Sequence, residues 1–190
     1  MSRKSGASPS IRPCWGSTRH MRSECETPNK HGDIAMRAFS ALARRDRTLR
    51  LVLVGGGPLT DAERALLPGA GRVLCPTPAD AQLPGIYSRA LAFVSASISE
   101  GLGMPVLEAM ASGSPVIVAA NEAYLEVAGE AGNFFAAGDA DACADVLAEV
   151  IARGSDTFER VRFGPHRSRE WTWERAASAL REFYSHVLTL

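Results

Sequence analysis

The chain has 190 residues, enough to bury one sizeable core, and its 46% hydrophobic and 22% charged content is ordinary for a globular protein. Its 21 Lys and Arg residues balance 21 Asp and Glu residues, so charge gives no case for nucleic acid or a membrane surface as partner. No apolar run approaches the roughly 20 residues that cross a bilayer, and no secretion signal or metal-binding cysteine spacing is present. These features predict a soluble, cytoplasmic protein with no membrane span.

Residues 1–26 are rich in Ser, Arg, Gly and Pro, contain no acid before Glu24 and follow neither a helix nor a strand period. This composition predicts a disordered or poorly ordered segment. An Arg- and Ser-rich, acid-poor start also fits an organellar transit peptide, although no amphipathic face supports that interpretation. The folded domain is therefore predicted to span residues 27–190.

From Thr27 onward, short apolar runs alternate with segments of helical period. Strands are predicted at 49–54, 73–75, 91–94, 116–120 and 133–135. Helices are predicted at 33–45, 60–67, 80–90, 105–112, 122–127, 139–151, 157–163 and 171–188. This alternation predicts an α/β fold with a Rossmann-like parallel sheet and helices on both faces. Ligands of such sheets bind at the carboxyl ends of the strands.

Two loops fall at predicted strand ends of that kind. Gly55, Gly56 and Gly57 follow the strand at 49–54 and could let the backbone approach the phosphates of a ligand. Three glycines after a strand are common in α/β loops, so this signal is weak by itself. The two loops are expected to face one cleft.

The second loop holds the most informative stretch of the chain. Glu100 precedes Gly101 and Gly103, which allow close approach of the backbone to a ligand. Pro105 fits the first turn of a helix, and Glu108 lies one turn further on. Two carboxylates thus flank a helix start whose free N–H groups attract phosphate or a polarised hydroxyl.

This stretch resembles the donor-site signature of GT-B glycosyltransferases of the large retaining group called family 4 or group 1, whose motif is E-x7-E. Glu100 and Glu108 match the two acids. The surrounding pattern is matched by Pro105, Ala109, Met110, Ala111, Gly113, Pro115 and Val116. Leu102 and Met104 stand where the family more often has an aromatic residue and a leucine. The resemblance runs from about Thr27 to Leu190 and implies the C-terminal, donor-binding half of a GT-B fold.

The resemblance also implies roles for the site residues. Glu100 contacts the donor sugar and stabilises positive charge at its anomeric carbon, instead of being a solvated loop acid. Glu108 accepts hydrogen bonds from the ribose; its alternative role, interaction with the helix dipole, is worth about 0.3–1 kcal/mol. Lys30 neutralises the diphosphate, although a single lysine is usually only solubilising. The N–H groups of Gly103 and Met104 meet sugar hydroxyls or a phosphate oxygen.

The implied reaction is retaining transfer of a hexose from a UDP- or GDP-sugar to a hydroxyl acceptor. It needs no cofactor and no metal, in agreement with the lack of a DxD-like pair in a suitable loop. The family's N-terminal acceptor-binding domain is not in this sequence, so a separate domain or partner chain is expected to supply it. One alternative is a non-catalytic nucleotide-sugar-binding module. Another is a sugar-nucleotide epimerase of GT-B fold, but the E-x7-E stretch argues against the epimerase.

Three features depart from the family pattern. Cys25 stands near the place of an arginine that usually precedes the phosphate-binding lysine, and Pro76 replaces a glycine expected after the strand at 73–75. The family also has a central strand just before its basic turn, whereas residues 11–26 contain nothing strand-like. The sheet is therefore predicted to lack its first strand, at a cost of about 1–3 kcal/mol for each buried backbone group left unpaired.

Overall fold

A computed structural model describes residues 19–24, 30–55, 58–69, 71–153 and 158–189, with the backbone alone described at 19–24 and 158–162. In these ranges the chain forms an α/β domain with a single parallel sheet in the order β3-β2-β1-β4-β5-β6. The strands are β1 (Arg19–Glu24), β2 (Leu49–Val54), β3 (Val73–Leu74), β4 (Ala92–Ser95), β5 (Val116–Ala119) and β6 (Gly132–Phe135). The last five lie where the apolar runs predict them.

The prediction that the first strand is missing is wrong. β1 lies between β2 and β4 and pairs in parallel with both, from Arg19 opposite Leu49 on one side and from Met21 opposite Ala92 on the other. Met21 is the one apolar residue of this strand, so no run or alternation marks it in the sequence. The strand forms because β2 pairs with all six of its residues and β4 pairs with residues 21–23 on the other side.

The position of β1 also corrects the predicted start of the domain. This strand lies inside the segment predicted to be poorly ordered, so the fold begins before residue 27. Residues 1–18, 25 and 26 lie outside the described residues. The order of the six strands is that of a doubly wound sheet. From β1 the chain adds strands toward one border, and from β4 it adds them toward the other. Ligands of such sheets bind at this switch point, here between β1 and β4.

The helices alternate with the strands as predicted and cover both faces of the sheet. They are α1 (Gly32–Ala43), α2 (Asp61–Ala65), α3 (Leu83–Tyr87), α4 (Met104–Ala111), α5 (Glu122–Ala128), α6 (Ala140–Arg153), α7 (Phe158–Ser168) and α8 (Trp173–Val187). Short 3-10 turns occupy Asp80–Gln82 and Gly129–Ala131.

Side chains of alternate strand residues enter two separate cores. Val94 and Ile117 pack with α1 and α6 on one face, in a core that includes Phe39. Phe93 and Val118 point to the other face and pack with α3, α4 and α5. This alternation is the period of a strand buried on both faces and confirms the predicted layers.

The last helix, α8, is amphipathic but unburied. Thr172 caps it by accepting a hydrogen bond from the backbone N–H of Arg175, and within α8 itself every residue is at least partly exposed. Large apolar side chains form a stripe along it, namely Trp173, Leu180, Phe183, Tyr184 and Val187. Within the described ranges, no helix is both long enough and apolar enough to cross a membrane.

Candidate active site

The loop between β4 and α4 ends at Gly103, whose conformation explains the glycine. Its φ is 89°, in the left-handed region that residues with a side chain rarely adopt. A Cβ at this position would lie 2.6 Å from the Tyr124 ring, closer than any real contact. Gly101 has no such requirement, because a Cβ there would meet nothing within 4 Å. Gly103 is therefore the structurally demanding glycine of the predicted site.

Glu100 and Lys30 meet although they are 70 residues apart in the chain. Lys30 Nζ lies 2.6 Å from Glu100 Oε1, and the two side chains are only 24% and 14% exposed. Lys30 lies between β1 and α1, and Glu100 follows β4, the strand beside β1. The carboxyl ends of two neighbouring parallel strands thus bring the predicted phosphate ligand and the predicted catalytic acid together.

The surroundings of Glu100 favour its ionised form. Burial alone raises the pKa of this carboxyl, but hydrogen bonds from Lys30, Ser97 and Tyr124 and the charge of Lys30 outweigh it. The pKa therefore lies below its ordinary value of 4.5. The Tyr124 hydroxyl lies 3.3 Å from Glu100 Oε1. Glu100 is therefore a largely buried carboxylate that hydrogen bonds fix in place, and not a solvated loop acid.

This ion pair predicts a pH-dependent contribution to stability. Because the pKa of Glu100 is lowered in the folded protein, its contribution is complete above about 4.5, the ordinary value, and is lost as the pH falls through the folded-state pKa. Replacing Lys30 by Met is expected to lower the free energy of unfolding at pH 7 by about 1–3 kcal/mol. Urea denaturation should show that the difference in the free energy of unfolding between Lys30→Met and the wild type shrinks as the pH falls below about 4.5.

An exposed ion pair on α6 provides the control for this experiment. Arg153 Nη2 lies 2.9 Å from Glu149 Oε2, and their side chains are 51% and 63% exposed. Replacing Arg153 by Met should change stability by less than about 0.5 kcal/mol, with little dependence on pH. An equal effect of the Lys30 and Arg153 substitutions would contradict a special role for the Lys30–Glu100 pair.

The second acid of the motif is held separately. The Tyr87 hydroxyl donates to Glu108 Oε2 at 2.8 Å, and Tyr87 itself, the last residue of α3, is completely buried. One carboxylate oxygen of Glu108 is thereby fixed on the first turns of α4. The sequence places Tyr87 on an apolar helix face, but no spacing indicates a hydrogen bond between residues 21 positions apart.

Glu108 also lines a groove that Glu100 and Lys30 do not reach. The groove has a volume of about 800 Å³ and lies between α4 and the segment that joins α7 to α8. Its wall near the predicted site consists of Leu102, Met104, Leu107 and Glu108, and the opposite wall includes Trp171 and Trp173. Across the portion of the chain that the structure describes, no group of three or more His, Cys, Asp or Glu residues could hold a metal ion.

Of the remaining predicted site residues, some lie in the described part of the chain and some do not. Gly55 directly follows β2 with a φ of 88°, as expected for a tight turn at a strand end. Gly56 and Gly57 lie outside the described residues. Met104 begins α4 with 43% of its surface exposed, and Pro105 follows in the first turn, as predicted.

Comparison with known proteins identifies the family. The model of the family described as "Glycosyl transferases group 1" matches residues 22–153, more than half of the chain. The chain belongs to the group 1 glycosyltransferases. Its sheet order and its covering helices form the C-terminal half of a GT-B fold.

Curated relatives carry glycosyltransferase names. A D-inositol 3-phosphate glycosyltransferase of Saccharomonospora viridis is 31% identical over 186 residues, which covers 85% of this chain and 41% of the relative. A GDP-mannose-dependent alpha-(1-6)-phosphatidylinositol dimannoside mannosyltransferase of Mycobacterium tuberculosis is 28% identical, with 80% of this chain and 39% of the relative covered. This group 1 glycosyltransferase chain therefore spans about two fifths of the length of the relatives it matches.

Solved structures show the same fold at lower identity. A glycosyltransferase from Rickettsia africae superposes with a TM-score of 0.78 at 18% identity, covering 91% of this chain and 48% of that one. S. aureus TarM, solved in a complex that includes UDP, superposes with a TM-score of 0.74 at 16% identity, covering 88% and 35%. In both comparisons the match covers less than half of the solved chain, as expected for one half of a two-domain fold.

Proposed function

We propose that this group 1 glycosyltransferase chain is the donor-binding half of a retaining enzyme that transfers a hexose from a UDP- or GDP-sugar to a hydroxyl acceptor. The observation that carries the proposal is the Lys30–Glu100 contact of 2.6 Å at the carboxyl ends of β1 and β4. A cation for a leaving diphosphate and a carboxylate for a developing positive charge are thereby adjacent. The proposed reaction uses no cofactor and no metal, and its proposed location is the cytoplasm.

Each charge of the pair has a separate part in the proposed chemistry. As the bond between the sugar and the diphosphate breaks, positive charge develops at the anomeric carbon and negative charge on the leaving oxygen. Glu100, ionised at neutral pH, is proposed to stabilise the first. Lys30 and the backbone N–H groups of Gly103 and Met104, at the start of α4, are proposed to stabilise the second.

Glu108 is the proposed ligand of the nucleoside. The Tyr87 hydroxyl donates to one of its carboxylate oxygens and fixes the side chain. Because this donor is uncharged, the contact does not neutralise the carboxylate. A fixed carboxylate pairs well with two vicinal hydroxyls such as those of ribose. Support for both bases comes from the comparisons, since TarM was solved with UDP and the mycobacterial relative is named as GDP-mannose-dependent.

The acceptor-binding part is proposed to lie in the region of the relatives that this chain does not match. About three fifths of the Saccharomonospora viridis relative falls outside the match, since 41% of it is covered. The exposed apolar stripe of α8 is a suitable contact surface for such a domain, because an amphipathic helix buries its apolar face against a partner. The partner is proposed to be a separate N-terminal domain or chain.

The partial match also supports a second candidate function. Without an acceptor-binding domain, the chain would act as a non-catalytic module that binds nucleotide sugars, or as a subunit of a two-chain enzyme. Transfer to an acceptor, measured with and without an added acceptor-domain chain, distinguishes the module from the subunit.

Calorimetry with three ligands tests the proposed roles of Lys30 and Glu108. The full chain should bind UDP or GDP, and Lys30→Met should weaken both the nucleotide and free pyrophosphate. Glu108→Ala should weaken the nucleotide alone, because pyrophosphate has no ribose. Each loss should be about tenfold or more, since a hydrogen bond to a charged group is worth about 1.5–3 kcal/mol.

A distant acid supplies the matched control. Glu149 lies on α6 with a side chain that is 63% exposed, and Glu149→Ala should leave the affinity for all three ligands unchanged. Equal weakening of pyrophosphate and nucleotide by Glu108→Ala would contradict the ribose assignment. Absence of binding to either nucleotide by the wild-type chain would contradict the donor-binding proposal itself.

A further inference from the structure

A buried tyrosine connects three parts of the candidate site. Tyr124 lies on α5, outside the E-x7-E stretch, and is completely buried. Its hydroxyl lies 2.7 Å from the Ser95 hydroxyl at the end of β4 and 3.3 Å from Glu100 Oε1. Its ring packs against Gly103, where it leaves no room for a Cβ. One side chain thus contacts the strand, the acid and the turn into α4.

The hydrogen bonds at Tyr124 have a defined direction. A phenol carries one proton, and an ionised carboxylate can only accept, so the Tyr124 hydroxyl donates to Glu100. Ser95 then donates to the phenol oxygen, which gives a chain from Ser95 through Tyr124 to Glu100. Such a chain polarises the phenol and strengthens its donation.

The helix that carries Tyr124 is itself fixed to the Glu100 loop. Asn121 caps α5 by accepting from the Tyr124 backbone N–H at 2.9 Å, and its side-chain amide donates to the Ser97 carbonyl at 2.8 Å. The Ser97 hydroxyl also hydrogen-bonds to Glu100, but its single proton is shared with the Ser99 carbonyl, 3.0 Å away. Tyr124 is therefore a rigid donor, while Ser97 divides its proton between two acceptors.

Lys30 cannot be the permanent partner of Glu100 if the proposed function is correct. The amine lies 2.6 Å from the carboxylate, and the same amine is the proposed partner of the diphosphate. When Lys30 turns to the phosphate oxygens, its hold on Glu100 weakens. The carboxylate then depends on its remaining donors to keep its place.

We propose that Tyr124 is the positioning residue of the site, whose buried hydroxyl holds the Glu100 carboxylate against β4 when Lys30 transfers to the diphosphate. The hold on Glu100 follows from the contacts of Tyr124 with Ser95 and Glu100. The transfer of Lys30 rests on the proposed donor-binding function. Tyr124 acts through Glu100 and does not itself contact the reacting atoms.

The test follows the titration of Glu100 by NMR of the full chain labelled with ¹³C at the glutamate side-chain carboxyls. The Glu100 signal is identified by its loss in Glu100→Gln. Tyr124→Phe removes the hydroxyl and keeps the ring on Gly103, so the titration midpoint of Glu100 should move to higher pH. With UDP or GDP bound, the movement should be larger, because Lys30 then holds Glu100 less.

A second tyrosine gives a matched control. Tyr87→Phe deletes the same hydroxyl from the other acid of the motif. It should move the midpoint of Glu108 to higher pH and leave that of Glu100 unchanged. A general loosening of the fold would instead move both midpoints in both variants, which would overturn the specific role of Tyr124.

The outcomes separate this inference from the proposed function. An unchanged Glu100 midpoint in folded Tyr124→Phe overturns the inference, even if nucleotide binds. A shifted midpoint in a chain that binds neither nucleotide supports the hold on Glu100 and overturns the transfer of Lys30 together with the donor-binding proposal. If Tyr124→Phe does not fold, 3-fluorotyrosine at position 124 keeps the ring and makes a stronger donor. The Glu100 midpoint must then move to lower pH, and an unchanged midpoint overturns the inference.

Discussion

Replacing Glu100 by Gln is expected to lower sugar transfer by about 10²–10³-fold in a two-domain enzyme made by joining this chain to the unmatched part of the Saccharomonospora viridis relative. Glutamine keeps the size of the side chain and its capacity to accept hydrogen bonds, but it removes the negative charge placed beside Lys30. Initial rates with a saturating donor measure the effect. Nucleotide affinity should change much less than turnover, since the charge matters most when the anomeric carbon becomes positive.

The control for this substitution is Glu149→Gln on α6. Glu149 lies in an exposed pair with Arg153 and should tolerate the change with unaltered turnover. Turnover of Glu100→Gln close to that of the parent would remove the catalytic assignment of Glu100. The Lys30–Glu100 pair would then be a structural ion pair only.

Replacing Gly103 by Ala is expected to lower the free energy of unfolding by about 2–4 kcal/mol. Two costs add at this position. The φ of 89° strains any residue with a side chain, and the new Cβ would lie 2.6 Å from the Tyr124 ring. The strained turn would also displace the backbone N–H groups of Gly103 and Met104 that are proposed to meet the diphosphate, so nucleotide binding should fall in parallel. Denaturant unfolding and calorimetry on the same preparations measure both effects.

Gly113 separates the two costs. Its φ is 73°, and a Cβ there would meet nothing within 4 Å, so Gly113→Ala carries the backbone strain without the clash. Its expected loss is about 1–2 kcal/mol. If Gly113→Ala and Gly103→Ala destabilise the protein equally, the ring of Tyr124 is not the rigid support that the structure indicates.

The sequence predicts five of the six described strands, for a physical reason. Strands buried on both faces need continuous apolar runs, and β2, β4 and β5 show them plainly. The contact between Glu100 and Lys30 is not predicted, because Lys30 follows β1, the strand that the sequence does not reveal. The resemblance to the family then assigns them roles that an isolated Glu and Lys would not suggest.

What the sequence does not predict depends on distant partners. β1 has one apolar residue and is a strand because β2 and β4 lie on either side of it. Tyr87 and Tyr124 look like ordinary core aromatics, since their hydroxyl partners are 21 and 24 positions away. Periodicity predicts which face of a helix or strand a side chain lies on, but it does not predict the hydrogen-bond partner of the hydroxyl group.

The central place of β1 has a consequence for how this protein assembles in the cell. β1 is the first of the six strands to leave the ribosome, but one of its two edges stays open until β4, some seventy residues later, has been made. Closing so long a loop is slow, and an open edge invites wrong pairing with other chains. A chain that starts after Glu24 would lack β1 and would leave β2 and β3 separated from β4, β5 and β6, whereas loss of the border strand β3 would leave the other five strands paired.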